Sequence, residues 1–316
     1  MRRASLLAAL AGMAIAVPLL AQNAKLPQPP PPDPGLATPE TLGFSYTDNR
    51  MTVPVSIGAS GPYRFIIDTG AERTVVSSEL AGSLNLAVGR RVRVTTMAGQ
   101  SMLNTFLLPA LQVSLVRPDT LEAPAVEARN LGAPGMLGID ALQGHAVAID
   151  FDRNMMEVRP AAKKRSMAGP DDIVIRAKNL YGQLIVTDAT YRGRQIAVVI
   201  DTGSPVTIGN LAMLKRVRTE KSLGKVGLMS VTGQWLQADY RVIDSLEIAR
   251  VGFHSVPIAF ADALPFKRFG LSDTPALMLG MDTLKLFRRV QIDFANREIR
   301  LTLPRDVINR SLVEVQ

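Results

Sequence analysis

Two stretches of the chain place a carboxylate where chemistry could follow: Asp68-Thr69-Gly70 and Asp201-Thr202-Gly203. Each Asp ends an aliphatic run, Phe65-Ile66-Ile67 in the first case and Val198-Val199-Ile200 in the second. A strand running into a turn would explain one such site, because Asp and Gly favour turns for backbone reasons. A single Asp-Thr-Gly also arises by chance in about one chain in fifteen of this length. The pair is more informative. If the two loops meet, carboxylates so close cannot both ionise comfortably; they share one proton and titrate in coupled steps. The ionised member can take a proton from a water attacking a carbonyl, and the protonated member can hydrogen-bond the carbonyl oxygen and later supply the leaving group. Such chemistry needs no metal, cofactor or covalent intermediate.

The neighbouring residue types suit that use. Gly70 and Gly203 allow the backbone to approach the carboxylates closely. Thr69 and Thr202 carry short hydroxyls able to hydrogen-bond across to the opposing loop. The aliphatic runs would hold each loop on a buried strand, as a preorganised site requires.

The elements around these loops repeat. "YRFIIDTGAERTVVSSELA" from Tyr63 is answered by "RQIAVVIDTGSPVTIGNLAML" from Arg194, and "TTMAGQ" at 95–100 by "MSVTGQ" at 229–234. "GMLGIDALQGHAVAIDF" is answered by "LMLGMDTLKLFRRVQIDF", which places Leu137-Gly138 opposite Leu279-Gly280 and Asp150 opposite Asp293. Three matched blocks in one order indicate a duplicated unit of roughly 120 to 135 residues. Hairpins are expected around Gly58 to Pro62 and around Arg192-Gly193, and helices of a turn or two in "SSELAGSL" and "IDAL".

Composition bounds the rest. The 316 residues are 47% apolar and only 5% aromatic, with many short segments rich in Val, Ile and Thr; a folded, mostly β chain is expected. The first 24 residues join Arg2-Arg3 to an apolar stretch from Leu6 to about Leu20 and then small residues, the layout of a secretory signal. The chain is therefore expected to be exported, periplasmic or secreted, touching a membrane only if that segment stays uncleaved. A Pro-rich linker follows at 25–40, then one lobe at 41–160, a second linker at 161–172, a second lobe at 173–308 and a tail at 309–316. With no cysteine there is no disulfide, thiolate metal site or cysteine nucleophile. The net charge of +8, of which Arg2 and Arg3 supply two, is scattered without a basic stripe, so no nucleic-acid partner is expected.

With both "IIDTGA" and "VIDTGS" followed by "MLG" at 136–138 and 278–280, the chain from about residue 45 to 305 resembles the retropepsin-like and pepsin-like aspartic protease superfamily. The resemblance implies an all-β fold of two pseudo-two-fold related, β-barrel-like lobes with short helices. It implies Asp68 and Asp201 as catalytic residues, a dyad completed within one chain, peptide or protein substrates, and no metal or cofactor. By the same analogy Met97, Ala98, Gly99 and Gln100, and Val231, Thr232, Gly233, Gln234 and Trp235, form flaps over bound peptide. Trp235 stands either in for the flap tyrosine of pepsin-like enzymes or as a packing residue. Glu72-Arg73 has no counterpart beside Pro205, so asymmetric subsites are expected. Arg73 is expected in solvent, with an ion pair to Asp140 as the alternative.

Other readings have less behind them. His145 and His254 sit in unrelated contexts, which leaves no basis for a His zinc site or a Ser-His-Asp triad, and His145 is expected at a surface or in a loop. Ser77-Ser78 reads as a helix N-cap, and Asp150 and Asp293 as strand ends before turns. The reading is thus an aspartic endopeptidase. The alternative is a protease-like module that binds peptide or cell-wall polymer without cutting it, since fold alone does not settle function. A chain that processes its own Pro-rich segment is a third possibility.

Overall fold

Alternation of Met51, Val53, Val55 and Ile57, all buried, makes Arg50–Ile57 a strand with one face toward a core. The chain reverses at Gly58, whose φ of +57° lies in the left-handed region that suits glycine. It returns as Ser60–Ile67, ending immediately before Asp68. The second half repeats this with a break. Gln183–Val186 pairs with Ala197–Ile200, leading to Asp201, while the hairpin tip separates as Ala189–Tyr191 and Arg194–Gln195 around the Arg192-Gly193 turn. That tip joins Leu246–Ile248 and Val251–Phe253 in a four-stranded sheet.

The computed structural model describes residues 40–113, 120–161, 172–180, 183–249 and 251–305. The expected secretory signal, almost all of both linkers and the tail lie outside the described residues. The described residues fall in one compact unit beginning at Thr38.

In each half a short apolar strand is threaded between the Asp-bearing strand and the strand that follows it. Gly135–Leu137 runs parallel to Ser60–Ile67 and antiparallel to Val75–Ser77. Ala276–Leu279 runs parallel to Ala197–Ile200 and antiparallel to Ile208–Gly209. All residues of both inserted strands are buried, as expected for strands covered on both faces. They belong to a nine-stranded sheet in the first half and an eight-stranded sheet in the second. At the far edge of each sheet a long hairpin projects: Val88–Thr95 with Gln100–Leu108, and Lys221–Met229 with Trp235–Ile243.

The halves are joined by a six-stranded sheet with His145–Asp150 and Arg289–Asp293 antiparallel at its centre. The main core is common to both halves and includes Phe65, Leu137 and Ile149 with Val198, Leu279 and Ile292. The chain is therefore mostly strands with short helices, a duplicated all-β fold. Ser77 caps the helix Ser78–Ser83, its hydroxyl accepting from Leu80 N, and Asn210 caps Leu211–Arg216 through Met213 N. Asp150 and Asp293 end their strands and accept turn N–H groups from Arg153 and Asn296. His145 starts a strand and is half-buried, with Nδ1 2.9 Å from Gln143 O.

Candidate active site

The two Asp-bearing strands end side by side, so the loops that follow them interlock. Thr69 Oγ1 donates to Ile200 O at 3.0 Å, and Thr202 Oγ1 donates to Ile67 O at 2.8 Å. The same hydroxyls accept from backbone: Thr202 Oγ1 from Thr69 N at 3.1 Å, and Thr69 Oγ1 from Thr202 N at 3.2 Å. Four buried hydrogen bonds thus fix one loop on the other, and each threonine is needed by the opposite half.

On this platform Asp68 and Asp201 face each other and hydrogen-bond. Asp68 Oδ1 accepts from Gly70 N at 2.7 Å, and Asp201 Oδ1 from Gly203 N at 3.1 Å and Ser204 N at 3.2 Å. The glycines are sterically required: a methyl on Gly70 would lie 2.7 Å from Asp201 Oδ1, and one on Gly203 would collide with the Asp68 carboxyl. Burial raises both carboxyls above the ordinary range. Asp201 is raised further, first by burial and then by the charge of Asp68, whereas N–H groups, the Asp201 proton and Arg50 partly restore Asp68. The pair therefore resists carrying two charges and favours one shared proton, with Asp201 raised the more.

Beneath each loop lies a matched clasp. Thr74 Oγ1 donates to Asp140 Oδ1 at 2.7 Å and accepts from Gly138 N at 3.2 Å. Thr207 Oγ1 donates to Asp282 Oδ1 at 2.7 Å and accepts from Gly280 N at 3.1 Å. Gly138 and Gly280 pack against the backbone at Arg73-Thr74 and Val206-Thr207, leaving no room for a side chain. Sequence reasoning missed Thr74, Thr207 and Asp282. The signal was available, since each Thr follows its Asp by six positions and each acid follows the Leu of its Leu-Gly by three. Asp140 takes its hydrogen bonds from Thr74 and Ala141, not from Arg73. Arg73 is half-buried and donates to Glu122 O at 2.6 Å, so neither expectation for it holds.

Above the dyad is a cleft of about 280 Å³. Of the expected flap residues, Met97 and Val231 line it. Ala98, Gly99, Gln100, Thr232, Gly233, Gln234 and Trp235 do not; the hairpins present Val92, Arg93, Val94, Thr95, Thr96, Met229 and Ser230 instead. Trp235 does not line the cleft as the flap reading expected: it is 69% exposed and its ring lies over Gly227 of the same hairpin. The hairpin tips cross over. Met97 packs in the cluster of Phe266, Phe269 and Met278, and its carbonyl accepts from Leu264 N, while Val231 packs with Ile66, Val75 and Met136. Gly99 meets the Gln234 side chain where the tips touch.

Arg50 and Gln183, also unanticipated, line the cleft at corresponding places, each eighteen positions before its Asp. Gln183 Nε2 donates to Gly70 O.

A family model described as aspartyl protease matches residues 53–141 and again residues 187–283, more than half of the chain. The chain belongs to the aspartyl protease family. Each match of this family starts in the hairpin before an Asp-Thr-Gly loop and ends in the short helix after the buried Leu-Gly. Both loops and both clasps therefore lie inside the aspartyl protease repeats. A search of curated proteins finds no match.

Proposed function

We propose that this protein is an aspartic endopeptidase in which Asp68 and Asp201 cleave peptide bonds through an activated water. The observation that carries the reading is the coupled carboxyl pair, held by reciprocal threonine bonds at the floor of a covered cleft. Asp68, the ionised member, takes a proton from water as its oxygen adds to the peptide carbonyl carbon. Asp201, the protonated member, donates to the carbonyl oxygen as charge develops there. The tetrahedral adduct then breaks its C–N bond, with a proton passing from the dyad to the departing nitrogen. Because the N–H groups and threonines are already in place, little reorganisation accompanies the step.

The test is mass-spectrometric digestion of a diverse peptide library from about pH 3.5 to about pH 7.5, where the dyad is expected to change its proton count. Asp68→Asn and Asp201→Asn should each lower cleavage by about 10²- to 10⁴-fold. Variants that cut as well as the parent would overturn the dyad mechanism. A folded parent that makes no cuts would favour a peptide-binding module without hydrolysis.

A further inference from the structure

The cleft is electrically lopsided. Its lining carries four arginines, Arg50, Arg73, Arg93 and Arg268, against Glu72 and the dyad. Arg268 forms a two-pronged ion pair with Glu72, at 2.6 Å through Nη2, and Arg73 is spent on Glu122 O. Arg93 is exposed on a flap strand and well solvated.

Arg50 differs from all three. Its side chain is only 13% exposed, and its Nε is buried without an acceptor. The carboxylate nearest to it, Asp48, stands 3.7 Å away and is itself 77% exposed. A buried donor left without an acceptor is costly, more so on a charged group. The duplicated half supplies an internal comparison: Gln183, at the corresponding place, is tied to Gly70 O, and its Oε1 is a buried acceptor without a donor. One side of the cleft therefore carries a guanidinium with an unsatisfied buried Nε and only a long ion pair to Asp48, and the other a neutral amide held to Gly70 O.

We propose that Arg50 is a specificity-determining residue that receives an acidic side chain of the bound peptide, so that the cleft selects substrates carrying Glu or Asp near the scissile bond. The guanidinium fork matches a carboxylate in two-pronged fashion, and partial burial strengthens the attraction beyond that of an exposed pair. The asymmetry between Arg50 and Gln183 also gives the peptide a preferred direction across the pseudo-two-fold axis. This proposal rests on the reading of the cleft as a peptide site.

The experiment uses pairs of fluorogenic peptides that differ only by Glu or Gln at each position flanking the cut. At about pH 6, where the Glu side chain is ionised, the parent should favour Glu at one position by about tenfold in kcat/KM. Arg50→Gln should bring that ratio close to one, Arg50→Lys should restore part of it, and Arg93→Gln should leave most of it. Anisotropy with the same peptides on Asp201→Asn reads the preference as an affinity ratio even if nothing is cut, so failure of the hydrolytic reading and of this one are separable. Should Arg50→Gln fail to fold, the pH dependence of the parent decides, because the Glu preference must fade below about pH 4.3 as the carboxylate protonates. Equal handling of Glu and Gln by the parent, a ratio flat across pH, or a Glu preference that survives Arg50→Gln would each overturn the proposal.

Discussion

Asp68 and Asp201 share the Asp-Thr-Gly motif yet are raised unequally, Asp201 the more because its burial is joined by the charge of Asp68. The raised acid has a consequence for stability. Between the ordinary carboxylate pKa and the raised one, the folded state binds a proton that the unfolded state has lost, so stability falls as pH rises through that window. Asp201→Asn removes this ionisable group. Relative to the parent, the variant should therefore melt higher at neutral pH, with the difference shrinking toward about pH 3.5, below the ordinary Asp value. Thermal melts of both proteins across pH check this; a constant difference at every pH would refute it. The motif itself was legible because Asp, Thr and Gly act over three consecutive residues. Which carboxyl is raised the more was not, because that depends on burial, on the opposing carboxyl and on Arg50, none of which the three-residue motif contains.

At the scale of elements, each loop is held by a strand, a threonine hydroxyl and an acid from a helix far along the chain. Thr207→Val should cost about 1–3 kcal/mol, since Gly280 N loses its acceptor and Asp282 a donor in a buried setting. Thr207→Ser should recover most of that loss. Denaturant unfolding gives the stability, and peptide cleavage should fall with it as the Asp201 loop loosens. The hairpins were readable from turn residues and alternation, but the residues facing the cleft were displaced from the expected tips. How the hairpins meet the cleft depends on packing against the other half, where Met97 and Val231 are drawn into apolar clusters. Trp235 faces outward because Gly227, across the hairpin, leaves a bare surface for the indole.

For the whole molecule, the shared core and the central six-stranded sheet make each half incomplete alone. Calorimetry of the full chain should show a single unfolding transition; two well-separated transitions would mean that the halves are independent. The sequence by itself determined the duplication, the β class, the two carboxylates and the small residues beside them, because these rest on local patterns that a linear chain carries intact. Tertiary structure alone decided that each threonine serves the opposite loop, that each hairpin tip seats in the other half's apolar cluster, and that Arg50 lines the cleft with its buried Nε unsatisfied. The threonine bonds join residues more than a hundred positions apart, and the energies of all these relations exist only once burial removes water from both partners.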